Sequence, residues 1–256
     1  MVYLGNPVSQ LDGSAFAHSN CVAACTSEAG DCSSLGYWNI KPATIRKLTG
    51  DTSGGLSYDD AIAALKKATS GEVALTTLYW APETALEDLI DAGRVVGLSI
   101  HTSVTRYTPY RTGTYVGRHN IIIGAKRFAT ITRADGTTYQ QKQGYVMDPG
   151  RTTARWEWWP WSLILKAANA STETTDKIHV YYTRDLENVK RTVHSDGTIR
   201  ASVSDTATKV GIVRKDQVYT VLTTVKGGTW GTTTANPGSG WSKIGIGKYV
   251  NGRRLR

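Results

Sequence analysis

Apolar residues recur at helical spacing in several segments of the early part of the chain. In one segment Leu86, Leu89 and Ile90 stand at positions i, i+3 and i+4, and Gly93 follows as a stop signal. In another segment Ser57 precedes an acidic first turn, as a helix-capping residue does. This pattern predicts helices over residues 21–28, 41–48, 59–68 and 85–92.

Short runs of β-branched and aromatic residues, bounded by turn residues, predict strands at residues 94–100, 119–124, 144–147 and 177–182. Between the second and the third run, Asp135 and Gly136 lie among strand formers, which indicates a tight hairpin. The Trp-rich segment 156–168 ends in a further predicted helix. Helices early in the chain and antiparallel strands later predict an α+β domain.

The residue pattern changes after Asp185. Residues 189–250 are rich in Thr, Val, Gly and Ser, alternate in short runs and have almost no helical period. We therefore predict a small all-β module here, with a boundary near residues 186–188. The predicted domains are residues 1–186 and residues 187–256.

Composition agrees with two domains, because 256 residues exceed the usual size of a single one. The N-terminus does not read as a signal peptide and no apolar stretch is long enough to cross a membrane, so we expect a soluble product without membrane insertion. The formal net charge of +9 favours anionic partners, such as acidic cell-wall polymers. Basic residues are scattered apart from Arg253, Arg254 and Arg256, which does not favour nucleic-acid binding.

The chain has 3 cysteines, and one of them stands where a helix begins. Cys21 follows Asn20, and a helix N-terminus lowers the pKa of a thiol through its dipole and its unpaired N–H groups. Cys21 is therefore the candidate nucleophile, and the alternative is an inert buried thiol. Cys25 is expected in the core and Cys32 in a loop, and a disulfide between these two stays open.

A nucleophilic cysteine needs a base and a group that orients the base. His119 starts a predicted strand and Asp148 ends the next one, so the hairpin brings an imidazole and a carboxylate together. His101 is the main alternative base, since it also ends a strand. Gln10, upstream of Cys21, is the candidate amide donor to an oxyanion.

The remaining signals favour structural roles. Trp156, Trp158, Trp159 and Trp161 either line a substrate cleft or, since large aromatic residues usually contribute to cores, pack between the two domains or under the active site. His179 lies in an apolar strand and is expected to be half-buried with its hydrogen bonds satisfied. The sequence has no CxxC or HExxH motif, so we expect neither a zinc site nor a cofactor.

The segments SQLDGSAFAHSNCVAAC, HNIIIGAKRF and YVMDPG resemble the papain-like cysteine peptidases of the bacteriocin-leader (double-glycine) type, in the version found in many phage lytic proteins. In that family a Gln precedes the helix that carries the Cys, a His starts an apolar strand, and an Asp stands in an Asp-Pro pair. The resemblance covers roughly residues 5–185 and implies that Gln10, Cys21, His119 and Asp148 are catalytic. One departure is the sequence Cys-Val-Ala at the nucleophile, where the family commonly has Cys-Gly-Pro.

The C-terminal segments TIRA, KVGIVRKDQVYTVL and GWSKI resemble a bacterial SH3-like domain. Such modules usually bind cell-wall peptides or glycans, which makes Trp241 and Tyr219 candidates for substrate contact. The alternative for Trp241 is a core position. The expected architecture is an α+β papain-like cysteine peptidase domain, with helices and an antiparallel sheet, followed by a small all-β SH3-like barrel.

These features lead us to expect a hydrolase, a cysteine peptidase or amidase, that cuts an amide bond in bacterial peptidoglycan. The resemblance implies a phage endolysin or a virion-associated lysin, present in the host cytoplasm before lysis and then at the cell wall, or carried on the virion. Two alternatives stay open. One is a cysteine peptidase that processes a leader or another protein, and the other is a catalytically silent virion protein with a structural or adhesive role.

Overall fold

The structure is a computed structural model. It describes residues 4, 7–11, 13, 17–33, 40–51, 54–69, 73–106, 108–110, 115–151, 153–183, 189–193, 195–201, 207–221, 223–230, 238–245 and 248–251. For residues 189–192 and from 218 onward, the description covers the backbone alone.

A large antiparallel sheet forms the centre of the part up to Thr183. Its strands are β1 (Leu75–Pro82), β2 (Val96–His101), β3 (Arg118–Thr132), β4 (Thr138–Met147), β5 (Trp156–Pro160) and β6 (Lys177–Thr183). They pair in the order β1-β6-β2-β3-β4-β5, and every neighbouring pair is antiparallel. The four predicted strands and the hairpin between β3 and β4 are confirmed, whereas β1 was not predicted.

The helices lie at the predicted positions. They are α1 (Cys21–Ser33), α2 (Pro42–Thr49), α3 (Tyr58–Ala68), α4 (Thr84–Asp91) and α5 (Trp161–Thr172), and α1 is preceded by a short 3-10 turn, Ala17–Ser19. The prediction for α1 ended too early, at residue 28, whereas the helix continues through Gly30 to Ser33. A Cβ at Gly30 would lie 2.9 Å from Leu65 Cδ1, so the missing side chain lets α3 pack closely on α1. Cys32 is consequently part of the helix and not of a loop.

Apolar clusters cover both faces of the sheet. The first contains residues of α1, α2 and α3, such as Ile45, and the second contains residues of α4 and α5. Strand β3 contributes to both, since Ile122 belongs to the first cluster and Ile121 and Ile123 to the second. A strand that is covered on both faces has no polar side, which explains its uninterrupted apolar run. Mixed α/β layers with a central antiparallel sheet therefore hold the N-terminal part together.

Every element described after Thr183 is a strand. These strands are β7 (Val189–Thr192), β8 (Gly197–Arg200), β9 (Lys209–Val213), β10 (Val218–Val221), β11 (Thr223–Trp230), β12 (Gly238–Gly245) and β13 (Lys248–Asn251). They form one sheet of order β11-β12-β13-β8-β9 and a second sheet of β10 and β7. The prediction of a β-rich C-terminal part is confirmed for the described residues. The SH3-like barrel stays a prediction, as does the boundary near residues 186–188, which lies outside the described residues.

The helices that the structure describes are all too short or too polar to cross a membrane.

Candidate active site

Cys21 is the first residue of α1, a helix that is otherwise buried in the protein. Every other residue of α1 is buried, whereas Cys21 is half-buried. The N–H of Ala24 donates to the carbonyl of Asn20 (2.8 Å), which places Asn20 at the N-cap position. The sulfur therefore lies at the positive end of the helix dipole, without the Gly-Pro pair that often follows the nucleophile in the family it resembles.

A buried arginine fixes the turn that leads into Cys21. Nε of Arg46 donates to Oδ1 of Asn20 (2.9 Å), and Nη2 donates to the carbonyl of Ser19 (2.9 Å). Arg46 is 4% exposed and its Nη1 lies 3.8 Å from the carboxylate of Asp51. The side chain of Asn20, which the sequence suggests as a helix cap, thus accepts a hydrogen bond from Arg46. Residues of α2 and the following turn thereby position the start of α1.

His119 and Asp148 meet at one end of the β3–β4 hairpin. His119 is the second residue of β3, and Asp148 follows the last residue of β4. Both are buried, and Nε2 of His119 lies 2.7 Å from Oδ1 of Asp148. The N–H of Gly150 also donates to Oδ1 of Asp148 (2.8 Å), so the Asp-Pro-Gly turn holds the carboxylate in place.

Cys21 completes a row of three groups. Its sulfur and the ring of His119 line the same cleft, and their interaction lowers the pKa of Cys21 and raises that of His119. Because Nε2 faces Asp148, Nδ1 is the ring nitrogen left for the sulfur. The structure thus brings together three of the predicted residues, a thiol, an imidazole and a carboxylate.

The pKa values of Cys21 and His119 shift in opposite directions. Burial acts to lower the pKa of His119, but the charge and hydrogen bond of Asp148 and the contact with Cys21 raise this pKa to about 9. Burial acts to raise the pKa of Cys21, but His119 and the backbone N–H groups of Asn120 and Val22 lower it below its ordinary value. Both shifts favour a thiolate paired with an imidazolium, which is the reactive form of a cysteine nucleophile.

A cleft of about 280 Å³ opens above this pair. Cys21 and His119 line it, together with Leu56, Tyr58, Tyr79, Ser99, Arg118, His179 and neighbouring residues. A substrate carbonyl that enters the cleft can therefore reach the sulfur.

Gln10 lies next to the site but is engaged elsewhere. Its backbone N–H donates to the carbonyl of Pro149 (2.9 Å), which ties it to the turn after Asp148. Its Nε2 donates to the carbonyl of His18 (3.2 Å), and its Oε1 has no hydrogen-bond partner among the described residues. The amide has a second N–H, so the role of oxyanion donor stays a prediction.

Other candidates fall outside the row. The ring of His101 pairs through Nδ1 with Oγ of Ser103 (2.7 Å) and not with the thiol of Cys21. Cys25 is buried as predicted, and neither Cys25 nor Cys32 forms a disulfide. In the part of the chain that the structure describes, no group of three or more His, Cys, Asp or Glu side chains is placed to hold a metal ion.

The tryptophan run does not line the cleft over Cys21; Trp159 and Trp161 are buried, and Trp156 and Trp158 are half-buried. Trp159 and Trp161 belong to the second apolar cluster, Trp156 packs against the first, and Trp158 lies under the guanidinium of Arg127 at 4.1 Å. The run therefore has a packing role in the N-terminal part, and the predicted packing between the two domains stays a prediction.

Tyr219 and Trp241, the predicted contact residues of the C-terminal part, lie in β10 and β12. Their side chains are outside the description, so their proposed contact with substrate stays a prediction.

Sequence reasoning missed two features of this site. One is Arg46. In the sequence it is an arginine in a short amphipathic helix, and nothing else there points to its contact with the start of α1. The other is a group formed by Tyr79, Trp80 and His179 beside the cleft. The only sequence signal for it is the adjacent Tyr-Trp pair shortly after two threonines. His179 is half-buried as predicted, but its Nε2 has no hydrogen-bond partner among the described residues.

No protein-family model matches this chain, and no curated protein matches it. Among solved structures, a candidate C39-like peptidase from Bacillus anthracis has a TM-score of 0.44 and 10% identity over 72% of this chain and 98% of that chain. UfSP from C. elegans has a TM-score of 0.41 and 10% identity over 71% of this chain and 33% of that chain. Ly7917, crystallised with the hydrolyzing product of MDP, has a TM-score of 0.21 and 14% identity over 93% and 92%. These TM-scores are low, so the chemistry of the chain has to be inferred from its own residues.

Proposed function

We propose that this protein is a cysteine hydrolase that cuts an amide bond in bacterial peptidoglycan, with Cys21 as the nucleophile. The observation that carries the proposal is the row Cys21–His119–Asp148 at a helix N-terminus that opens into a cleft. Packing alone does not explain why a buried imidazole lies between a thiol and a carboxylate. It is the arrangement that prepares a thiolate for attack on a carbonyl.

The first half of the reaction forms an acyl-enzyme. The thiolate of Cys21 attacks the carbonyl carbon, and the carbonyl oxygen takes up the negative charge of the tetrahedral intermediate. The backbone N–H of Cys21 and the amide of Gln10 are the proposed donors to that oxygen. The imidazolium of His119 then gives its proton to the leaving amine, the C–N bond breaks, and a thioester with Cys21 remains.

The second half releases the acid. Neutral His119 removes a proton from water, the resulting hydroxide attacks the thioester, and the thiolate of Cys21 leaves. Asp148 keeps the ring oriented and stabilises its charged form throughout, since Nε2 stays bonded to Oδ1. The cycle needs no further reactant than water and restores the starting pair.

A lytic role in a phage fits the other features of the chain. The resemblances of both parts are to a phage lytic peptidase and to an SH3-like wall-binding module, and the net charge of +9 favours adhesion to anionic wall polymers. In this role the protein is an endolysin, released from the host cytoplasm at lysis, or a lysin carried on the virion. Trp241 and Tyr219 are the proposed wall-contact residues of the β-rich part.

Zymography on purified peptidoglycan tests the proposal. Wild type and Cys32→Ala should clear the wall material and Cys21→Ala should not, because Cys32 is a buried thiol of the same helix with no contact to the cleft. Equal clearing by wild type and Cys21→Ala would end the proposal. Cleavage of a leader peptide without clearing would indicate a processing peptidase, and no turnover of either material would indicate a structural or adhesive virion protein.

A further inference from the structure

Strand β1 carries a bulge beside the cleft. Leu78 pairs with Val180 and Ala81 pairs with Ile178, so two residues, Tyr79 and Trp80, stand opposite the single residue His179. A bulge of this kind re-aims side chains at the edge of a sheet, and here β1 is the edge strand. The two aromatic side chains are consequently presented at the surface.

Neither packing nor backbone preference explains a tryptophan at position 80. Its φ is 57°, in the left-handed region that bulky residues avoid. Its side chain is 54% exposed, so burial does not offset that strain. Outliers of this kind persist where the surrounding structure imposes them, and they concentrate at active sites and ligand-binding sites.

The exposed rings form a platform that continues the cleft. Tyr79, which is 45% exposed, and His179 line the same cleft as Cys21. The rings of Tyr79 and Trp80 both stand edge-on to His179, with centroids 5.4 Å and 4.7 Å from it. Tyr79 also stacks on Tyr58, which lines the cleft on its inner side. We use the name aromatic platform for Tyr79, Trp80 and His179.

A carboxylate borders the platform. The exposed carboxylate of Asp59 accepts from the hydroxyl of Tyr79 (3.2 Å) and from that of Thr77 (3.3 Å). An anionic ligand is disfavoured next to Asp59 and its exposed neighbour Asp60, and an aliphatic side chain would offer no hydrogen-bond donor to the carboxylate of Asp59.

A sugar ring satisfies all of these features. The C–H face of a pyranose stacks on an aromatic ring, while its hydroxyl and acetamido groups donate to a carboxylate such as that of Asp59. We propose that the aromatic platform is a sugar-binding subsite that holds a ring of the glycan strand beside Cys21. The proposal rests on the function proposed above and narrows it. A sugar held in the same cleft as the nucleophile brings the amide at the sugar–peptide junction to the sulfur, which makes the enzyme an amidase of that junction.

Binding to the full-length Cys21→Ala protein tests the subsite without turnover. The probe is the trisaccharide of N-acetylglucosamine, titrated by calorimetry or ligand-observed NMR, with a Kd on the order of 1 mM expected for one stacked ring. Adding Trp80→Gly should weaken binding about tenfold, the usual effect of removing one stacking ring. Because glycine accepts the left-handed backbone, this variant should fold, and a melting curve close to that of its parent shows that lost binding does not reflect unfolding.

Phe128→Ala is the matched control, since Phe128 is an aromatic residue of the same sheet, 69% exposed, and is not part of the aromatic platform. It should bind the trisaccharide like the parent. Equal binding by Trp80→Gly and Phe128→Ala, or absence of sugar binding by the parent, would overturn the subsite. So would a free stem peptide that binds the parent and loses its binding with Trp80→Gly.

Mass spectrometry of the digested wall tests the amidase assignment separately from the proposed hydrolase activity. Wild type should release stem peptides with a free N-terminus and leave glycan strands without peptide. Fragments in which sugar and stem peptide are still joined would overturn the amidase assignment while the hydrolase stands. Intact walls together with Trp80-dependent sugar binding would overturn the hydrolase while the subsite stands.

Discussion

Asp148 controls the ionisation of its neighbour from a fully enclosed position. It is 1% exposed, and its charge and hydrogen bond contribute to raising the pKa of His119 to about 9. The reactive pair needs His119 protonated and Cys21 deprotonated. Activity should therefore rise with pH as Cys21 loses its proton, below the ordinary range of a thiol, and fall as pH passes about 9.

The substitution Asp148→Asn removes the charge but keeps the shape. We expect the alkaline limb of the kcat/KM profile to move to lower pH, because the pKa of His119 falls, and the maximum to drop by about 10²- to 10⁴-fold. The measurement is a pH–rate profile on soluble wall fragments. Asp135→Asn, in the exposed hairpin turn, should behave as wild type. An alkaline limb that stays near pH 9 in Asp148→Asn would refute the electrostatic role.

The substitution Gln10→Ala tests whether Gln10 donates to the oxyanion of the tetrahedral intermediate. Replacing it by Ala should lower kcat by about 10²- to 10³-fold with little change in KM, because the lost N–H acts on charge that develops only in the intermediate. Steady-state kinetics and a melting curve on the same preparation distinguish this effect from loss of the contact with His18. Unchanged kcat in a folded Gln10→Ala protein would remove Gln10 from the mechanism.

Helix α1 owes its position to neighbouring elements as well as to its own sequence. Arg46 in α2 reaches two acceptors in the turn before Cys21, and Gly30 allows α3 to approach. The direction of the N-terminal N–H groups, and with it the place of the sulfur, follows from this packing.

The substitution Arg46→Met should loosen the start of α1. It leaves the acceptors on Ser19 and Asn20 without this donor, so we expect a loss of about 1–3 kcal/mol in the free energy of unfolding. Urea titration measures that loss. Alkylation of Cys21 should also slow at neutral pH, because the sulfur is less well placed against His119. Lys47→Met, at the exposed next position of α2, should change neither quantity, and equal behaviour of the two variants would contradict the positioning role.

The elements that sequence predicted well carry local signals. Helix α3 has Ser57, whose hydroxyl accepts from the N–H of Asp60 (3.1 Å), and α2 ends at Gly50 in the left-handed conformation. Strand β1 has no such signal, because the bulge at Tyr79 and Trp80 breaks the two-residue period and three successive side chains are exposed. The predicted helix at the start of α1 ended before Gly30, whose place in the helix depends on Leu65, far away in the chain.

The molecule as a whole brings residues together in a way that strand prediction alone does not give. The meeting of His119 and Asp148 was predictable, since one hairpin carries both. The approach of Cys21 to this pair depends on how α1 packs on β3, and the sheet order places β6 between β1 and β2. That insertion is what brings His179 beside Tyr79 and Trp80, so the aromatic platform had no counterpart in the sequence pattern.

Global stability should depend on a buried acid in α1. Burial first, and then the charge of Asp31, raise the pKa of Glu28 well above 4.5, against the opposing hydrogen bond from Cys32. A folded-state pKa above the unfolded value means that the stability linked to Glu28 is fully present below pH 4.5 and is lost as pH rises toward the raised pKa.

Glu28→Gln should remove this loss. We expect the variant to gain about 1–3 kcal/mol at pH 7 and to match wild type in the acid range, where Glu28 is protonated in both states. Urea unfolding at several pH values measures the difference. Glu173→Gln, with a side chain 83% exposed, should leave the pH dependence unchanged. A Glu28→Gln protein with the pH slope of wild type would contradict the prediction.

The reactivity of Cys21 toward iodoacetamide, followed by peptide mass mapping across neutral pH, tests the thiolate–imidazolium pair most directly. Cys25 and Cys32 are buried and serve as internal references. Cys21 should be alkylated faster than a free thiol at neutral pH, with a midpoint below that of an ordinary cysteine that moves upward in His119→Ala. A Cys21 that reacts no faster than a free thiol, and equally in wild type and His119→Ala, would contradict the proposed nucleophile.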